Sequence, residues 1–189
     1  NLTNVNVDID RAGQDDKYES GDRKPCIGTI AGTVTKSGDY LNIFNCTSSG
    51  NISVINCCDI YVGGIVGIGG NISNCTNTNN IYVLSNKGDR YEQDGTVYVG
   101  GIVGFPGAIW GKVESCVNYG NVNVISGDYA FCGGICGQEG DVIESVNYGN
   151  ISAETMSHWT GPSYARNCNV GGITGTERAE VSYLSLIHI

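Results

Sequence analysis

The chain has 189 residues, 29 of them glycine, with only 3 prolines, 1 methionine and 15% charged residues. Its net charge of −9 lacks the basic footprint that phosphates need, so nucleic acid and anionic membrane surfaces are not expected partners. An apolar content of 40% is too high for a disordered chain; no window carries the spacing of an amphipathic helix, and no run approaches the ~18 apolar residues of a membrane span.

In chain order, the opening Asn1-Leu2-Thr3-Asn4-Val5-Asn6-Val7 reads as the tail of a repeat. A worn motif follows, Gly28-Thr29-Ile30-Ala31-Gly32. Sharper copies come next: Val62-Gly63-Gly64-Ile65-Val66-Gly67, Val99-Gly100-Gly101-Ile102-Val103-Gly104, Cys132-Gly133-Gly134-Ile135-Cys136-Gly137 and Val170-Gly171-Gly172-Ile173-Thr174-Gly175. Successive copies are offset by 35, 37, 33 and 38 residues, the range of repeat arrays. Each of the first four is followed by a second landmark. These begin at Asn45-Cys46-Thr47-Ser48, Asn74-Cys75-Thr76-Asn77, Ser115-Cys116-Val117-Asn118 and Glu144-Ser145-Val146-Asn147. Two landmarks in fixed order are the strongest signal in the chain.

Each unit reads as three short strands. The first runs into the glycine motif with period-two apolar residues: Ile60 and Val62, Val97 and Val99, Ala130 and Cys132, Cys168 and Val170. The second carries the Cys or Ser landmark. A turn of the Asn-Tyr-Gly-Asn type, in which Asn and Gly are expected to take positive φ, leads to the third. That strand alternates again, at Ile52 and Val54, Ile81 and Val83, Val122 and Val124. One unit cannot bury its apolar face alone, whereas stacked units can. The expected fold is therefore all-β, a β-helix-like solenoid of roughly 35-residue glycine-rich repeats. Small stacked antiparallel units fit the same pattern.

The array is expected to occupy residues 1–183, as about four units plus partial ends, truncated at both ends. Leu184-Ser185-Leu186-Ile187-His188-Ile189 resembles the translation of a sequencing-library transposon end and is set aside as an artefact.

The tetrads Gly64-Ile65-Val66-Gly67, Gly101-Ile102-Val103-Gly104, Gly134-Ile135-Cys136-Gly137 and Gly172-Ile173-Thr174-Gly175 resemble the GLUG motif, with Ile in place of its Leu. The resemblance covers roughly residues 25–183. It implies a large secreted or wall-attached bacterial protein, similar to adhesin-like chains and to some IgA-cleaving zinc peptidases. It transfers no catalytic activity, because the chemistry of those peptidases sits in a separate domain.

The residues themselves point the same way. Zinc hydrolysis of the His-Glu-x-x-His type needs two histidines on one helix face, and only His158 and the set-aside His188 exist. His158 sits in a variable loop and reads as a solvent-facing residue rather than half of a Cys-His pair. Nine cysteines cannot all pair within the chain, and they fall on repeat-equivalent positions. Cys132 aligns with Val62, Val99 and Val170; Cys136 aligns with Val66 and Val103; Cys46, Cys75 and Cys116 align with Ser145. They read as buried thiols used as small core residues, rather than disulfides or metal ligands, as does the adjacent pair Cys57-Cys58. Asp8, Asp10 and the Asp89–Asp94 loop lack the spacing of known calcium loops and read as solvated charge. Asn-x-Ser/Thr triplets, as at Asn45, Asn51, Asn74 and Asn150, belong to the turns of the repeat.

No cofactor, metal or catalytic residue is expected. The motif residues Gly63, Gly64, Gly67, Gly100, Gly101, Gly104, Gly133, Gly134, Gly137, Gly171, Gly172 and Gly175 are expected to be structural. Trp110, Trp159 and Tyr164 are candidate glycan contacts, while Tyr119 and Tyr148 suit a sugar platform or a stacked ladder equally. The expected role is a non-catalytic structural or adhesive segment of a bacterial cell-surface protein, contacting flanking repeats of its parent and a host protein or glycan, with no membrane insertion. The alternative is an accessory substrate- or glycan-binding region of a larger secreted peptidase or glycosidase.

Overall fold

A computed structural model of the chain describes residues 2–10, 25–34, 42–55, 60–85, 96–107, 111–127, 129–155, 168–175 and 181–182. These residues are all-β, and every strand pairing among them is parallel. The antiparallel alternative is thereby overturned. Parallel neighbours cannot be joined by hairpins, so each strand pairs with its equivalent in the next unit rather than with its neighbour in sequence.

Five successive units, together with the last strand of a preceding one, contribute to four ladders. The first ladder joins Cys26–Gly28, Ile60–Gly63, Val97–Gly100, Ala130–Gly133 and Cys168–Gly171. The second joins Ala31–Thr33, Val66–Ile68 and Val103–Phe105, and single bridges extend it through Cys136 and Thr174. The third joins Asn42–Phe44, Asn71–Ser73, Lys112–Glu114, Asp141–Ile143 and Val181–Ser182. The fourth runs from Leu2–Asp10 to Thr47–Ile55 and then splits. A short arm joins Thr76–Asn77, Val117–Asn118 and Val146–Asn147. A longer arm joins Asn80–Ser85, Val122–Ser126 and Ile151–Thr155.

The register follows the repeat. Ile60, Val97, Ala130 and Cys168 are successive partners, as are Val62, Val99, Cys132 and Val170. Ile52, Ile81, Val122 and Ile151 form another column. A slip of one residue would expose the buried members of these columns, which is why period-two patterning pins the register.

Two apolar clusters result. One gathers Ile52, Val54, Ile60, Val62, Ile81, Val83 and their equivalents from the first and fourth ladders. The other gathers Ile65, Val66, Ile72, Cys75 and their equivalents from the corner, the second and the third ladders. Within each unit the chain passes from the first cluster to the second at the Gly-Gly pair, and returns beside the landmark Asn or Ser.

Two sequence expectations change. The first strand ends in the glycine motif as expected, but after a turn at Gly64-Ile65 a further strand starts the second ladder at Val66, which the three-strand reading lacked. The Cys landmark lies at a corner between strands, and the residue before it carries the positive φ. Those residues are Asn45, Asn74, Ser115 and Glu144, with φ of 54°, 50°, 52° and 48°. Gly120 and Gly149 of the Asn-Tyr-Gly-Asn turns are not among the positive-φ glycines; their small size answers a steric need instead.

Candidate functional site

The glycines make the second ladder possible. A Cβ on Gly63 would collide with the Val66 carbonyl, and one on Gly100 or Gly133 with the carbonyl of Val103 or Cys136. One on Gly67, Gly104, Gly137 or Gly175 would meet first-ladder backbone of the preceding unit, at Ile27, Val62, Val99 or Cys132. Two backbones thus approach with no side chain between them. Gly172 and Gly171, on the last unit, are exposed and half-buried respectively.

Gly64, Gly101 and Gly134 have a further role. A Cβ there would strike the carbonyl of Gly101, Gly134 or Gly172 and the side-chain amide of Asn77, Asn118 or Asn147. These three asparagines are buried. Asn77 Nδ2 donates to Asn118 Oδ1, and Asn118 Nδ2 to Asn147 Oδ1, both at 2.8 Å. Each also closes its own turn. Asn118 Nδ2 donates to the Gly120 carbonyl at 2.8 Å, and the Gly120 N–H donates to Asn118 Oδ1 at 3.2 Å. Asn147 and Gly149 repeat the exchange at 2.9 and 3.1 Å. The side chain thereby stands in for a strand partner and keeps buried backbone groups satisfied. This buried ladder went unrecognised in the sequence because Asn beside Tyr-Gly-Asn reads as a surface turn. The available signal was the recurrence of Ser48, Asn77, Asn118 and Asn147 two residues after each landmark Cys or Ser.

The junction between the first two glycine-motif units carries different residues in the same place. Thr29 stands where later units have Gly64, Ser48 where they have Asn77, and Asn79 where they have Gly120. Asn79 Nδ2 donates to Ser48 Oγ at 2.8 Å, Ser48 Oγ donates to Thr29 Oγ1 at 2.6 Å, and Thr29 Oγ1 donates to the Gly64 carbonyl. Asn79 Nδ2 also reaches the Gly64 carbonyl at 3.1 Å and Asn77 Oδ1 at 2.6 Å, while Asn79 Oδ1 is buried without a partner. The amide is held by its donors.

At the preceding corner, Cys75 and Cys116 are fully buried and Cys46 is half-buried. The Cys46, Cys75 and Cys116 thiols contact the carbonyls of Phe44, Ser73 and Glu114 at 3.4, 3.2 and 3.3 Å, and Ser145 Oγ donates to Ile143 at 3.0 Å. Thiol and hydroxyl make the same bond, which explains their exchange. Every cysteine among the described residues is a free thiol. Cys132 and Cys136 are buried in the apolar clusters in register with valines. Burial pushes both thiols up, and the hydrogen bond with the Cys75 thiol together with burial does the same to Cys116. Such thiols are poor nucleophiles.

Outside, Tyr119 and Tyr148 are exposed and stack at 5.0 Å with 8° between ring planes. Their faces are turned largely to each other, an arrangement that suits the structural ladder better than a sugar platform. Tyr61, Tyr98 and Phe131 form a second column at 4.9 and 5.1 Å. Beside the tyrosines, Asn121 Oδ1 accepts from the Asn150 N–H and Asn80 Oδ1 from the Asn121 N–H, at 2.9 and 3.1 Å.

Trp110, Trp159, Tyr164, His158, His188, Cys57, Cys58, residues 89–94 and residues 184–189 lie outside the described residues, as do the side chains of Asp8 and Asp10. Among the described residues no three metal-ligating side chains converge, and no helix is long and apolar enough to cross a membrane.

Residues 59–82 match the family model of the GLUG motif. That span holds one Gly-Gly corner, left-handed Asn74, Cys75, Asn77 and Asn79. No curated protein and no solved structure matches the chain.

Proposed function

We propose that the chain is a non-catalytic segment of a β-solenoid on a bacterial cell surface, serving as a stiff spacer or adhesive stalk within a larger protein. The observation that carries this reading is the unit-on-unit parallel stacking in which equivalent residues of successive units are register partners in all four ladders. Such an array lengthens by whole units without redesign of its interior. The interior spends its polar side chains on one another and on backbone, and the buried Cys116, Cys132 and Cys136 thiols are held protonated, while the hydrogen bond from Cys116 lowers the pKa of Cys75 to about 7. The GLUG match supports a repeat of a larger protein.

Small-angle scattering on this chain and on longer pieces of its parent tests the rod. The maximum dimension should grow linearly, by about 4.8 Å per added unit, and compact globular scaling would contradict it. Antibodies against the repeat should label intact cells. Turnover of peptide or glycan substrates by the purified chain would overturn the non-catalytic assignment.

A second reading, an accessory glycan-binding region of a secreted peptidase or glycosidase, draws support from exposed Tyr119 and Tyr148 beside the exposed amides of Asn121 and Asn150. The mutual stacking of the rings weakens it. Glycan binding lost on Tyr119→Ala, together with a hydrolase domain in the same reading frame, would favour it.

A further inference from the structure

We propose that Thr29, Ser48 and Asn79 form a register key, which dictates that the second unit and no other stacks on the first. An array of similar units has a specific hazard. Its apolar columns are nearly interchangeable, so pairing shifted by one whole unit keeps most buried contacts and competes with the correct fold. The apolar residues cannot prevent this, because Ile52 meets Ile81 in the correct register and would meet Val122 in the shifted one. Discrimination has to come from positions that differ between units, and the polar cell at each junction is such a place.

Every cell is built from three positions: one in the glycine corner, one two residues after the landmark Cys, and one in the turn of the unit above. At the two upper junctions these are Gly64, Asn77 and Gly120, then Gly101, Asn118 and Gly149. One amide fills each cell, and it comes from the lower unit. At the first junction the positions are Thr29, Ser48 and Asn79, and the single amide comes from the upper unit instead. The short Ser48 side chain leaves room for both the Thr29 Cβ and the Asn79 amide, and three hydroxyl and amide donors link the cell in series.

The two cell types do not mix. A Cβ in place of Gly120 would already stand 3.1 Å from Asn77 Nδ2 and collide with the Asn79 carbonyl. An Asn above an Asn therefore puts two amides where one fits, so a second copy of the unit that carries Asn79 cannot stack on Asn77. Conversely, Gly120 above Ser48 would leave the Ser48 hydroxyl without its 2.8 Å donor and the cell partly empty, a buried polar void. Either slip costs a clash or a lost hydrogen bond with a void, whereas the correct register avoids both and leaves only Asn79 Oδ1 of the cell without a partner. A polar side chain that sets alignment in an otherwise apolar interface is a known use of buried polarity.

The test uses the full chain and four proteins: wild type, Ser48→Asn, Asn79→Gly, and the triple variant Thr29→Gly/Ser48→Asn/Asn79→Gly, which converts the first cell to the upper type. Urea unfolding should show both single variants with lowered midpoints and the triple restored to the wild-type midpoint. Methyl-labelled protein should then be refolded from urea. Wild type should give one set of resonances with Val54–Val83 contacts, as its register requires. The triple variant should add a second set with Val54–Val124 contacts and an extra slow refolding phase. A triple variant no more stable than the singles would show that the three residues are not coupled. A triple variant that refolds to one register with wild-type kinetics would show that the key is not needed. Should Ser48→Asn fail to fold, Asn79→Gly against the triple still decides the coupling.

Discussion

The first junction and the junctions above it enclose the same small volume with different residues, and one corner earlier the contrast runs the other way. In the polar cell the lower unit departs from the pattern, with Thr29, Ser48 and Asn79, while the upper units keep Gly, Asn and Gly. At the left-handed corner the lower units carry Asn45 and Asn74, a residue type that tolerates positive φ, while the upper units carry Ser115 and Glu144. What the repeat preserves is therefore the occupied volume, the satisfied donor and the backbone angle. Residue identity drifts wherever neighbours can compensate, and drifts at a cost where they cannot.

The largest expected effect comes from exchanging occupants between the two cell types. Gly101→Ala should destabilise the chain by about 4 kcal/mol or prevent folding, since the new methyl meets the Gly134 carbonyl and the Asn118 amide and neither backbone nor amide has room to retreat. Thr29→Gly, at the equivalent position of the first unit, should cost only about 1 kcal/mol for its lost hydrogen bonds. Chemical denaturation of both variants checks the difference. Equal losses would mean that the cells are not sterically distinct.

Next comes the amide itself. Asn118→Ala removes the partner of Asn77 Nδ2, of Asn147 Oδ1 and of both Gly120 backbone groups. Leaving those buried groups unmet should cost about 3 kcal/mol. Ser48→Ala interrupts a shorter chain and should cost about 1 kcal/mol. Hydrogen exchange at the Gly120 amide provides a local readout, with protection lost in Asn118→Ala and kept in Ser48→Ala.

Much of this architecture was legible in the sequence, for a physical reason. Buried columns need period-two apolar residues, and stacking needs those residues to recur with the motif, so the sequence itself aligns Ile60–Val97–Ala130–Cys168. Cys132 and Cys136 could be read as core because valine occupies their register positions. The Gly-Gly pair could be read as the end of the first strand, but the short strand that follows it at Val66–Ile68 was not legible, since three residues are too few to show a period and glycine alone does not say in which direction the chain turns. The ladder of Asn77, Asn118 and Asn147 was hidden because a buried asparagine bridging its own turn looks, in one dimension, like a solvated turn residue. Asn79 was harder still, because its meaning depends on Ser48 in the unit below.

The thiols offer a gentler exchange. Cys132 and Cys136 resist ionisation in the folded chain, whereas in the unfolded chain they titrate near the ordinary value of 9.0. A thiol raised in this way adds stability that is fully present below pH 9.0 and declines above it, as the unfolded state sheds protons that the folded state keeps. The loss should reach about 1.4 kcal/mol per thiol at pH 10. Cys132→Val/Cys136→Val installs the residue that Val99 and Val103 already provide in the same columns. It should fold normally and show a flatter stability profile between pH 9 and 10. An unchanged alkaline decline would place its source elsewhere.

The smallest expected effect is a gain, and it probes the left-handed corner. Glu144 holds φ at 48°, where its Cβ crowds the following carbonyl at a cost of about 1 kcal/mol. Its one side-chain bond here, with Ser115 Oγ at 3.4 Å on the exposed surface, is too long and too wet to offset that strain. Glu144→Gly should therefore stabilise the chain by about 0.5–1 kcal/mol, even though glycine adds freedom to the unfolded state. Asn74→Gly, at the same corner of a lower unit, should gain less, because Asn adopts this angle with little strain and glycine's entropy then dominates. If the two substitutions shift the urea midpoint equally, the lower and upper units do not differ in stored strain, and the contrast between them reduces to the polar cell alone.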